Sequence, residues 1–221
     1  MNYLANFLTG LSLASGFAAV IFSLEGRFAS ACWAIILSVI FDGLDGQAAR
    51  RNPVPSEFGK QLDSLADVVS FGIAPSVLAY IFICRGFSLL AVAVLFVYLV
   101  CSVTRLAKYN IMPKDKLADY FYGLPTTVSG GILATVILIS IKYTRLPSPF
   151  IFLPIILCLS FLMVSKIRYP DLDALKQILG RKVLFLFPAA LIAFVFIPEI
   201  TVFALFVSYL IFCSFFLKKF V

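Results

Sequence analysis

Apolar runs of bilayer-crossing length recur along the chain, separated by short breaks rich in polar residues, Gly or Pro. The first run ends near residue 24, at Glu25-Gly26-Arg27. Further runs cover residues 28–51, 56–83, 87–107, 125–141, 150–164 and 183–197, and an eighth runs from a Pro198-Glu199 turn to 216. The pattern predicts an all-α fold: a polytopic integral membrane helical bundle of about eight transmembrane helices, forming a single domain over residues 1–221. Pro75 is expected to kink the third helix. The polar stretch 165–182 carries Leu172, Leu175 and Ile178 at helical spacing and predicts a short interfacial helix.

Residues 42–67 break the apolar pattern. Side chains three or four apart share a helix face, so Asp42, Asp45 and Ala49 form one stripe, with Gly46 and Arg50 beside it. Gly59, Asp63 and Asp67 form a second stripe. Pro53 and Pro55 forbid a helix between them, which predicts two antiparallel helices with facing carboxylates. Four acids in an apolar setting need compensation, and Arg50 alone does not supply it. Oxygen ligands without His favour Mg²⁺, Mn²⁺ or Ca²⁺, and four acids on two helices suit a pair of such ions, the arrangement that clamps a phosphoryl transfer. Gly46 and Ala49 remove bulk beside the acids and leave room for a phosphate-rich substrate.

Asp42, Asp45, Gly46, Ala49, Arg50, Gly59, Asp63 and Asp67 fill every fixed position of D-x-x-D-G-x-x-A-R-x8-G-x-x-x-D-x-x-x-D, and here the sequence resembles the CDP-alcohol phosphotransferases. The tract from Ser64 through Phe71-Gly72 to Pro75, and Gly123-Leu124-Pro125-Thr126-Thr127 further on, resemble the phosphatidylserine synthase branch. The resemblance implies metal-dependent transfer of a phosphatidyl group from CDP-diacylglycerol, or an archaeal ether counterpart, to L-serine, releasing CMP. It implies two divalent ions, Mg²⁺ or Mn²⁺, held by Asp42, Asp45, Asp63 and Asp67, with Asp67 also taking the proton of the attacking hydroxyl. Asn6, Thr9, Gly46, Ala49, Arg50, Ser56, Gly59 and Lys60 are the expected CDP-lipid contacts. Asn6, Thr9 and Ser56 would equally serve as helix caps, and Lys60 as a snorkelling lysine. Arg105, Tyr122 and Thr126 are the expected serine contacts. A homodimer is the family habit, and Ser129, Gly130, Gly131 and Ala134 permit close helix packing either between subunits or within one. The same chemistry with inositol phosphate or glycerol-3-phosphate is the alternative, and an ion-coupled transporter a remote one.

Composition bounds the rest. The chain is 62% apolar with a mean hydropathy of +1.05, too apolar for a soluble domain of this size. It has no His, so a general base must be a carboxylate, Lys or Tyr. Five cysteines sit in separate apolar runs without metal-ligand or disulfide spacing. No basic stretch with a cleavage site opens the sequence, so no removable signal peptide is expected. Of 18 Lys and Arg, only Arg27, Arg85, Lys142 and Arg145 lie at the ends of the odd-numbered runs. That asymmetry predicts both termini and the acidic site on the cytoplasmic side, and the net charge of +7 reads as topology and attraction to anionic lipid rather than nucleic-acid binding.

Overall fold

The first two apolar runs form α1 (Tyr3–Leu24) and α2 (Phe28–Arg50), which pack along each other as a hairpin. Gly26 makes the turn. At φ 74° it adopts the left-handed conformation that side chains resist, while Arg27 and Gly26 return their N–H groups to the Phe22 and Ser23 carbonyls at 2.8 and 3.2 Å. The computed structural model describes residues 3–50, 57–84, 88–112, 120–143, 148–170, 193–194 and 196–216. The third run is one helical rod, Glu57–Ile83. It comprises α3 (Glu57–Asp67), a π-helical stretch Val68–Ile73, α4 (Ala74–Ala79) and a second π-helical stretch Tyr80–Cys84. Then come α5 (Ser88–Ile111), α6 (Thr126–Lys142), α7 (Pro149–Val164) and α8 (Pro198–Phe216).

Pro75, where a kink was expected, lies inside this rod and does not end it. It has no N–H for the Phe71 carbonyl four residues earlier, and the Tyr98 hydroxyl of α5 donates to that carbonyl at 3.0 Å. The helix passes through Pro75 with a widened turn on the preceding side. The fold is all-α, as expected, with one short addition: β1 (Tyr120–Tyr122) pairs antiparallel with β2 (Arg168–Pro170), and Gly123 N–H to Ile167 O (2.8 Å) continues the pairing. The ribbon satisfies the backbone of two interhelical connections that meet at one end of the bundle. Leu172, Leu175 and Ile178 of the expected interfacial helix, and most of run 183–197, lie outside the described residues; residues 168–170, just before them, form β2. Pro198 and Glu199 open α8 rather than forming a turn.

Among the described residues, Tyr3–Leu24, Phe28–Arg50, Glu57–Ile83 and Leu89–Ile111 are long and apolar enough to cross a bilayer, and Thr126–Lys142, Pro149–Val164 and Pro198–Ile211 are shorter apolar helices. Large apolar side chains such as Phe17, Ile40, Phe96, Phe150 and Phe161 point outward, as lipid-facing side chains do. The core lies where Cys32 and Ile35 of α2, Leu78 of α4, Leu133 and Ile137 of α6, and Phe152 and Ile156 of α7 meet. The small face of α6 is used within the chain. A Cβ on Gly130 would sit 3.3 Å from the Phe71 Cα, and one on Gly131 would collide with the Phe206 ring of α8. The carboxyl ends of α5 and α7 gather at one end of the bundle with the amino ends of α3 and α6 and the β ribbon. The Gly26 turn, Phe82, Ser140 and the Lys142–Glu199 ion pair (2.7 Å) mark the other.

Candidate active site

The acids collect at the end that carries the ribbon. Asp63 and Asp67 stand one turn apart on α3, and Asp42 reaches them from α2, with one oxygen from each within 4.8 Å of the others. The two acid-bearing helices are splayed rather than packed face to face: α3 leans on α1, which also carries α2. Gly43 and Gly46 leave this stretch of α2 without side-chain bulk. Asp45 is only 3% exposed and lies outside the triad, its carboxylate beside the Thr9 hydroxyl of α1. Oδ2 of Asp45 and Oδ1 of Asp67 are buried with no hydrogen-bond donor. Orphaned carboxylate oxygens in a low-dielectric setting are strongly unfavourable, and hard oxygen donors grouped this way suit a divalent cation. The donor set therefore fits a metal at Asp42, Asp63 and Asp67.

The approach to these acids is open. A Cβ on Gly43 would meet nothing within 4 Å, and one on Gly46 would meet only the Arg50 Nη1 at 3.9 Å, so the Arg50 guanidinium lies over a bare stretch of α2. Ala49 is exposed on the same helix end, and Gly59 is half-buried in the first turns of α3. Asn6 and Thr9 do not cap α1, which begins at Tyr3; Thr9 is buried and donates to the Ala5 carbonyl at 3.0 Å. Lys60 donates to the Asn110 carbonyl at 2.7 Å and lies 5.9 Å from the centre of the Tyr109 ring, a favourable seat for a cation at the carboxyl end of α5. Ser56 falls outside the described residues.

Beside the acids is a cavity of about 310 Å³ lined by Arg105, Lys108, Tyr109, Met112, Tyr122, Met163, Val164, Ser165 and Lys166. Arg105 Nη1 donates to the Thr126 hydroxyl at 3.4 Å, and its buried Nε has no partner. The same guanidinium interacts electrostatically with Asp67 and Asp42, so Arg105 sits between the triad and the cavity. Arg105 of α5 is thus brought to Tyr122 and Thr126 across the α5–α6 connection. Sequence reasoning missed Lys108, Tyr109 and Met112, although their spacing from Arg105 on one helix face was a usable signal. It also missed Ser165 and Lys166, and Asn110, whose Nδ2 donates to the Ser64 hydroxyl at 2.8 Å. Those three contacts cross between remote segments and leave no local pattern.

The sequence model of CDP-alcohol phosphatidyltransferases matches residues 2–164. A Helicobacter pylori protein named CDP-diacylglycerol–serine O-phosphatidyltransferase is 35% identical over 173 residues, covering 77% of this chain and 73% of its own. A Bacillus subtilis protein of that name is 36% identical over 171 residues, 77% of this chain and 91% of its own. The archaetidylserine synthase of Methanothermobacter thermautotrophicus is 33% identical over 174 residues, 78% of this chain and 71% of its own. With a family match over most of its length and the family's acids gathered at one site, the chain belongs to the CDP-alcohol phosphatidyltransferase family.

Proposed function

We propose that this protein is a phosphatidylserine synthase: it transfers the phosphatidyl group of CDP-diacylglycerol, or the ether-linked equivalent, to the hydroxyl of L-serine and releases CMP. The observation that carries the reading is the Asp42–Asp63–Asp67 triad, open toward Gly46 and Arg50 on one side and adjacent to a cation-lined cavity on the other. The names of the relatives support serine over glycerol-3-phosphate or inositol phosphate. Ion-coupled transport would leave the bare helix face and Arg50 without a role.

Asp42, Asp45, Asp63 and Asp67 would hold two divalent ions, Mg²⁺ or Mn²⁺. Such ions neutralise charge on a diphosphate and acidify a bound hydroxyl. The bare backbone at Gly43 and Gly46 admits the cytidine diphosphate, and Arg50 offers its planar fork to a phosphate. Asn6, Thr9, Ala49, Ser56, Gly59 and Lys60 complete the proposed CDP-lipid set; Lys60 acts there by fixing α3 to α5. In the cavity, Arg105 binds the serine carboxylate, held in place by Thr126, and Tyr122 lines the amino-acid pocket. The serine oxygen attacks the phosphorus that bears the lipid, forming a new P–O bond as the bond to CMP breaks. Asp67 accepts the hydroxyl proton at a carboxylate oxygen and passes it to solvent. Arg105, and the ions that these acids would hold, would offset the negative charge that develops on the transferred group.

The whole chain forms one transmembrane domain in this reading, with eight spans, the acidic end and both termini in the cytoplasm, where serine and CTP-derived lipid are supplied. The family habit supports a homodimer, with the interface elsewhere than the small face of α6, which is occupied within the chain. The decisive test uses purified protein with labelled serine, glycerol-3-phosphate or inositol phosphate, CDP-diacylglycerol, and Mg²⁺ or Mn²⁺. We expect serine incorporation with CMP release, abolished by EDTA and restored by added metal. Full activity in excess EDTA with no metal retained on elemental analysis would overturn the two-metal reading. Better use of either phosphorylated alcohol would overturn serine as the acceptor.

A further inference from the structure

One turn deeper than the acids lies a layer of buried hydroxyls that the reaction does not use. Ser12 of α1, Ser38 of α2 and Ser70 of the π-helical stretch are each no more than 1% exposed. Ser38 precedes Asp42 by one turn, and Ser70 follows Asp67 by one. The Ser12 carbonyl is the hub: it accepts from Ser38 Oγ at 3.0 Å and from Ser70 Oγ at 3.1 Å. The Ser12 and Ser38 hydroxyls also meet at 2.8 Å. Gly16, one turn along α1, lets the Ser70 backbone close in, since a Cβ there would stand 2.6 Å from the Ser70 Cα.

In a lipid environment no hydrophobic force presses helices together, so interhelical hydrogen bonds and close small-residue contacts set their separation. Here those contacts join α1 to both acid-bearing helices, whereas the acidic faces themselves repel. We propose that the Ser12 carbonyl, with Ser38 and Ser70, is a positioning device: it fixes α2 and the α3 rod on α1 so that Asp42 meets Asp63 and Asp67 at metal-binding distance before the metal arrives. This inference rests on the proposed function only for the presence of a divalent ion at the triad. The serines touch neither metal nor substrate. Loss of their bonds lets the acids drift apart, and metal binding must then supply the ordering.

The test is Mn²⁺ binding by calorimetry or electron paramagnetic resonance on purified full-length protein, with melting temperature and kinetics on the same preparations. Ser38→Ala removes two hydrogen bonds and Ser70→Ala one, and neither change deletes more than a hydroxyl, so both variants should remain folded. Each should weaken Mn²⁺ binding by ~10-fold, the low end for residues that orient metal ligands. The metal concentration for half-maximal rate should rise in parallel, while kcat at saturating metal stays within about twofold of wild type, because the assembled site is the same. Ser38→Thr retains the hydroxyl and should recover most of the affinity. Ser160→Ala is the control, since among the described residues that buried serine donates to the Ile156 carbonyl of its own helix, at 2.7 Å, and to no other helix. Its Mn²⁺ affinity should not change. Lower melting temperatures for Ser38→Ala and Ser70→Ala with unchanged Mn²⁺ affinity would overturn the proposal, as would an equal loss in Ser160→Ala. A wild-type protein that binds no Mn²⁺ overturns the proposed function first, and this device with it.

Discussion

Asp42, Asp63 and Asp67 bring like charges within 4.8 Å, and substitution by Asn separates what each contributes, because it keeps shape and one oxygen while removing charge and basicity. Asp42→Asn and Asp63→Asn should weaken metal and nucleotide binding together. Asp67, the member of the triad with a buried oxygen that no donor occupies, is the proposed proton acceptor. Asp67→Asn should therefore retain much of its CDP-lipid binding while turnover falls by ~10² to 10⁴, the usual range for losing a general base. Arg50→Lys should do the opposite, weakening nucleotide binding more than it slows the bound complex, because a point charge replaces a fork. Calorimetry and single-turnover rates on the same preparations check all three. Wild-type turnover in Asp67→Asn would remove it as the base. At this scale the acids were legible because fixed helical spacing announces a shared face. Asn110 and Lys166 were not, because their partners lie across the fold and nothing near them in the chain marks the contact.

At the scale of the elements, the third helix departs most from its sequence pattern. Its apolar periodicity gave the span correctly, Glu57–Ile83, but periodicity says nothing about a widened turn. The π-helical stretch follows Asp67 directly and is held from three sides: by Tyr98 at the Phe71 carbonyl, by Gly130 against the Phe71 backbone, and by Ser12 at Ser70. Tyr98→Phe removes the donor to a buried carbonyl that Pro75 already deprives of its helical partner, and should destabilise the protein by about 1–3 kcal/mol. A thermal melt in detergent without metal reads this; an unchanged melting temperature would mean that the widened turn needs no outside donor. The β ribbon was illegible for a related reason. Three-residue strands carry too little pattern to detect, and the one local clue was Gly123, at φ 80° with the Met163 carbonyl where a side chain would go. Gly123→Ala faces both the conformational penalty and that collision, so it should lower the melting temperature more than Tyr98→Phe does.

For the molecule as a whole, the orientation argument rests on the split of Lys and Arg among the ends of the apolar runs, a sum over the chain that survives an error in any one boundary. The fold then adds that the acidic triad, the cation-lined cavity and the ribbon share one end, with the Lys142–Glu199 pair at the other. Orientation follows from charge transfer during insertion: Lys and Arg near helix ends resist translocation, so the end richer in them stays inside. A site that takes soluble serine must also open to the compartment that contains it. Both arguments support the proposed placement of the triad on the cytoplasmic side. Two exposed positions report on this, Ile111 at the acid end and Tyr143 at the other, 82% and 50% exposed. In a cysteine-free background, Tyr143→Cys should react with a membrane-impermeant maleimide on intact cells. Ile111→Cys should react only after the membrane is opened. The reverse pattern would invert the protein and detach the site from its proposed substrates. Labelling of both on intact cells would mean that the ends do not face opposite sides, and the spanning bundle itself would fall.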